Sequence, residues 1–177
     1  MRSRGFPVTR RLSGCAFVLI CGCRGDRDVT ATDIARQFYT MREAIGGTGA
    51  PLPRELAALR PFITDSLARG LARADSLRRH DIELAGDEKP RFADGDLYSS
   101  LFEGVTSFRA MPALANSEPV LVPVELINDR QRPVVHWIDT VVVAQHDGRW
   151  RVQDIRYGGL WAFGNKGSLL RELFPSP

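Results

Sequence analysis

Asp139 and Asp154 are the residues whose type and setting come nearest to a chemistry in this chain. Each sits in a run rich in strand-forming residues, 134–145 for the first and 149–157 for the second. Side chains alternate faces along a strand, so Trp137 and Asp139 share one face while His136 and Thr140 share the other. In the last run Asp154 and Arg156 share a face, and Ile155 and Tyr157 take the opposite one. A register that brought the two aspartates together would place two carboxylates in one cavity, where their pKa values split and supply an acid and a base. Tyr39, on a helical stretch beside Phe38, would join them if its hydroxyl pointed inward. The plainer reading is that both aspartates anchor loop N–H groups or arginines. Trp137, Tyr157 and Trp161, with Trp150 and Phe163, are the aromatic supply, able to line an apolar pocket or to complete a small core. Trp161 follows Gly158-Gly159 in an irregular segment and is the candidate for an exposed recognition surface.

Other chemistries lack their patterns. His80, His136 and His146 have no metal-ligand spacing, and no metal or cofactor is expected. Gly46-Gly47-Thr48-Gly49 lacks the Lys-Ser/Thr ending of a phosphate loop. No serine stands in a nucleophile elbow, and Ser99 and Ser100 have no base partner. Glu103, before a glycine, is expected to pair with Arg109 or to satisfy a loop.

The elements that must position these residues follow from periodicity. Thr30 caps a helix with Asp33 at its third position, and Ile34, Phe38, Met41 and Ile45 share one face. Gly46-Gly47 ends it. A short helix carries Leu56 and Leu59. Thr64 caps a longer one with Leu67, Leu71, Ala74 and Leu77 in a stripe, leaving Arg69, Arg73, Arg78 and Arg79 to water. Residues 81–96 read as an exposed loop and 97–102 as one helical turn. Strands follow at 106–110, 119–127, 134–145 and 149–157, with Asp147-Gly148 as a hairpin turn. Residues 168–174 close the chain as a short helix. Helices first and an antiparallel sheet afterwards give an α+β class.

Residues 1–22 read as an export signal. Arg10-Arg11 precedes an uncharged stretch, Leu12 to Gly22, too short for a permanent anchor. Leu19-Ile20-Cys21-Gly22-Cys23 resembles a lipoprotein cleavage box, which makes Cys23 the lipidated first residue of the mature chain and 23–29 a tether to a single domain at 30–177. All three cysteines lie between positions 15 and 23, so the mature body is expected to hold no free thiol. The formal charge of +3 comes from this leader: removing its four arginines from the 24 basic residues leaves 20 against 21 acidic ones. That removes the global argument for a nucleic-acid partner.

The order of elements resembles the nuclear-transport-factor-2-like (NTF2-like), cystatin-like superfamily. More closely, Ser99-Ser100-Leu101-Phe102-Glu103-Gly104, the 133–143 run, Gly148-Arg149-Trp150-Arg151-Val152, Asp154-Ile155 and Tyr157-Gly158-Gly159 resemble bacterial lipoproteins of the DUF3828 family. The resemblance implies an NTF2-like cone, with N-terminal helices packed on a curved antiparallel sheet, and export, but no particular reaction. The expected protein is a non-enzymatic envelope lipoprotein, anchored by lipid and facing the periplasm or the outside, that binds a small ligand or an envelope protein or serves as a structural module. The alternative is an enzyme using a polar cavity for isomerisation or hydrolysis.

Overall fold

The computed structural model describes residues 29–84, 88–114 and 117–175, so the leader and Cys23 lie outside the described residues. Helix α1 (Ala31–Ile45) starts where Thr30 Oγ1 accepts the Asp33 N–H at 3.1 Å and Asp33 Oδ2 accepts the Thr30 N–H at 3.1 Å. Helix α2 (Pro53–Leu59) leads through a 3₁₀ turn (Arg60–Phe62) to α3 (Asp65–Glu83), capped by Thr64. Strands β1 (Ser107–Ala110), β2 (Val120–Asn128), β3 (Val135–His146) and β4 (Arg149–Arg156) precede α4 (Leu169–Leu173).

The four strands pair antiparallel in sequence order. Helix α1 lies across one face and touches every strand. Its Ile34 and Phe38 meet Val122, Val124 and Leu126 of β2, Val141 and Val143 of β3, and Val152 and Ile155 of β4 in one buried cluster. Fully burying a side chain such as Phe38 contributes roughly 1.5–3 kcal/mol. Helices α3 and α4 pack together beside β4, where Arg73 Nη1 donates to the Leu173 carbonyl at 2.8 Å.

The α+β class holds, but the NTF2-like cone does not. The sheet is an open ladder, neither curved around the helices nor closed, with β1 and β4 as its two edges. Strand β1 ends after four residues, and the outer edge of β4 is taken by Ile63 and Ser168 rather than by another strand. Among the described residues no hydrogen-bonded pairing draws the two edges together, so helices and sheet stack as layers.

Three local readings also change. The stretch 81–96 is not an exposed loop throughout: α3 continues to Glu83, and Asp96 is buried. Residues 97–102 form tight turns, not a helical turn. Arg78 does not face water: it pairs with buried Asp75 and donates to the Ala50 carbonyl at 2.8 Å, tying α3 to the loop after α1.

Candidate functional site

The register separates the two aspartates that the strand patterns had suggested as a pair. Asp154 stands opposite Val142, whereas Asp139 shares the inward face of Val141, which stands opposite Ile155. Asp139 and Asp154 therefore project to opposite faces of the sheet.

Asp139 is fully buried and saturated with donors. Its Oδ2 accepts the Ser100 N–H at 2.7 Å and the Trp137 Nε1–H at 3.2 Å. Its Oδ1 accepts the Ser100 hydroxyl and the Gly158 N–H at 2.8 Å. Ser100 Oγ in turn accepts the Gly159 N–H at 2.9 Å. A carboxylate holding four donors has little capacity left for a further proton, and Ser100, for which the sequence suggested no partner, is fully buried with its hydroxyl on Asp139. Asp154 serves the fold in a different way. Its Oδ1 accepts the N–H groups of Ile155 and Leu170, both at 2.8 Å, which ties β4 to the first turn of α4.

These bonds belong to a larger polar knot around residues 96–101, which carry no regular structure of their own and need partners for their buried backbone groups. Tyr39 Oη donates to the Tyr98 carbonyl at 2.9 Å, and Tyr157 Oη donates to the Leu97 carbonyl at 2.6 Å. Asn165 Nδ2 donates to the Asp96 and Ser99 carbonyls, both at 2.7 Å. Burial, and then the nearby Asp139 carboxylate, pushes the Tyr39 phenol well above its ordinary pKa; burial does the same for Tyr157 and Tyr98. Tyr39 is thus a neutral donor committed to a carbonyl, not a base beside Asp139.

The knot forms one wall of a cavity of about 580 Å³ lined by Tyr39, Arg42, Asp96, Glu103, Gly104 and Phe108, with Glu43, Asp129 and Arg130 among its charged residues. Sequence reasoning passed over two residues that matter here, Arg42 and Asp96. Asp96 Oδ1 accepts the Tyr98 N–H at 2.9 Å and lies 3.6 Å from Arg42 Nη2. Arg42 also donates to the carbonyls of Gly46 at 2.7 Å and Gly47 at 2.8 Å, and its guanidinium sits 5.0 Å from the Tyr98 ring centre. Burial raises the Asp96 pKa; Arg42 and the Tyr98 N–H pull it back down only in part. The one sequence signal was the spacing Asp96-Leu97-Tyr98, which suits an aspartate accepting its own backbone two residues on. Glu103 is free of Arg109, which pairs with Glu125 at 2.8 Å on the outer face of the sheet.

The aromatic candidates divide. Trp137 is buried, and Trp161 packs edge-on against it at 5.2 Å between ring centres, half-buried. The side chains that stand out from this loop are Leu160, 95% exposed, and Phe163, 93% exposed. Trp137, Trp161 and Leu160 line a shallow groove with Glu125, His136 and Ile138.

Among the described residues no group of three His, Cys, Asp or Glu could hold a metal ion, and no helix is long and apolar enough to cross a membrane. No protein-family model matches the chain, and no curated protein or solved structure matches it. The resemblance to the DUF3828 family is thereby corrected along with the cone: the segments that carried it are accounted for locally by the Ser100–Asp139 anchor, the β3–β4 hairpin and the Gly158-Gly159 turn.

Proposed function

We propose that this chain is an envelope lipoprotein whose folded domain is a small-ligand-binding module. In this reading residues 1–22 are removed, Cys23 carries the lipid, and the domain faces the periplasm or the outside. The basic, uncharged-apolar and Gly22-Cys23 order supports the anchoring. The observation that carries the binding role is the contrast between two buried carboxylates. Asp139 holds four donors, whereas Asp96 lies in the wall of a cavity with the Tyr98 N–H and Arg42 both on its Oδ1 side. In small-molecule sites a few placed polar groups in a recess fix the ligand's orientation, and Asp96 is placed to be one of them.

A second reading rests on the same carboxylate. Burial keeps the proton on Asp96 to higher pH than usual, the property a general acid needs for isomerisation or hydrolysis. The two readings separate in one comparison. Mature protein extracted from membranes is stripped of small molecules in denaturant and assayed by mass spectrometry, as wild type and as Asp96→Asn. A binding module yields a stoichiometric small molecule that Asp96→Asn loses. An enzyme converts an envelope metabolite with a pH profile that Asp96→Asn flattens. Intact mass of the same sample tests the anchor: a chain that retains Met1, or starts beyond Cys23 without lipid, overturns the lipoprotein reading.

A further inference from the structure

We propose that the Asp96 cavity is a site for a small organic cation, one that presents N–H donors to Asp96 Oδ2. This rests on the binding-module reading and narrows it to a ligand class. The Asp96 side chain is only 10% exposed. Its Oδ1 is used by the Tyr98 N–H, while among the described residues no hydrogen-bond donor reaches Oδ2. A Cβ added at residue 104 would stand 3.3 Å from that oxygen, and Gly104, at φ +84°, leaves the approach open. Arg42 stands on the Oδ1 side, 3.6 Å away, and donates to the Gly46 and Gly47 carbonyls beside the Tyr98 ring. Oδ2 is therefore an acceptor facing the cavity with no protein donor on it among the described residues, and a charged donor is the strongest complement of a carboxylate oxygen.

The surroundings point to the same sign of charge. The exposed Glu43, Glu103 and Asp129 border the cavity with no ion-pair partner among the described residues, and Arg130 is the one lining cation besides the committed Arg42. A recess whose border carries more acidic than basic groups favours a cation. Phe108 supplies an apolar wall, and a volume of about 580 Å³ suits a small organic molecule. A bare metal ion fits less well, since it needs several oxygens converging at short range and Asp96 offers one.

The test uses three probes matched in size and differing in charge: benzylammonium, benzyl alcohol and benzoate. Each is titrated into the isotope-labelled mature protein in detergent, with the amides of Gly104, Ser107 and Phe108 as reporters. Benzylammonium is expected to give saturable shifts there, benzyl alcohol binding about tenfold more weakly and benzoate none. Asp96→Asn should weaken benzylammonium by about tenfold. In case that variant fails to fold, Glu103→Gln/Asp129→Asn alters only exposed side chains and should weaken binding roughly two- to fivefold, with a shallower salt dependence. Benzyl alcohol or benzoate binding as tightly as benzylammonium at these amides overturns the cation assignment and leaves the binding module standing. So does benzylammonium binding that neither variant weakens. No response of these amides to any of the three probes overturns the cation assignment, and the binding module then stands or falls on the co-purified molecule alone.

Discussion

Ser100 and Asp139, 39 residues apart, are joined by two hydrogen bonds, one from the Ser100 backbone N–H at 2.7 Å and one from its hydroxyl. Through them a turn without regular structure is fastened to the third strand of the sheet, and Gly158 and Gly159 are fastened to the same pair. Asp139→Asn replaces one acceptor oxygen by an amide donor that must face donors. It is expected to destabilise the domain by about 2–4 kcal/mol, read from urea unfolding. Ser100→Ala, which strands the Gly159 N–H, should cost about 1–2 kcal/mol. A loss under roughly 0.5 kcal/mol for Asp139→Asn would mean that the knot does not hold the fold.

Asp154 gives a contrasting case, since one of its oxygens does the capping. Asp154→Asn keeps an acceptor and should change stability by less than about 1 kcal/mol, whereas Asp154→Ala frees two N–H groups and should cost about 1–2 kcal/mol. Thermal unfolding of the two variants side by side reads the difference, and equal losses would refute the capping role.

The hairpin between β3 and β4 depends on backbone conformation alone. Asp147 and Gly148 have φ of +50° and +71°, and a Cβ at 148 would meet nothing within 4 Å. Gly148→Val should therefore cost about 1–3 kcal/mol without any clash, with Gly148→Ala intermediate. Chemical denaturation of the three proteins measures it; indifference to valine would mean that the turn has another form.

Asp96 makes stability depend on pH with a definite sign. Its pKa is raised on folding, so the proton is bound more tightly in the folded state. That contribution is fully present below the ordinary aspartate value of 3.8 and is lost as pH rises through the higher folded value. The stability difference between wild type and Asp96→Asn should accordingly fall as pH is raised from 3.8 and then level off. Unfolding free energies at a series of pH values decide it, and a difference that grows with pH would contradict the burial of the carboxylate.

The aromatic loop separates packing from exposure. Trp161→Ala removes a ring packed on Trp137 and should cost roughly 1–3 kcal/mol. Leu160→Ser and Phe163→Ser, at exposed positions, should stay within about 0.5 kcal/mol of wild type. If Trp161→Ala is equally silent, its ring is not part of the packed structure.

The sequence by itself determined the elements, because their causes are local. The Thr30–Asp33 cap, the Ile34–Phe38 face, the Asp147-Gly148 turn and the three long strands each depend on neighbours within a few residues. What the tertiary structure decided was how those elements meet. Whether the sheet closes depends on pairing between its first and last strands, which no local pattern encodes, and here β4 pairs with Ile63 and Ser168 instead. Whether Asp139 and Asp154 share a face depends on register, where one residue of slip reverses every side chain. Asp96 carried no signal beyond its own turn, since its burial is created by Arg42 from α1, Gly104 and Asn165 closing over it from distant parts of the chain. The cavity is a property of those packed distances, and it exists only once the chain has folded.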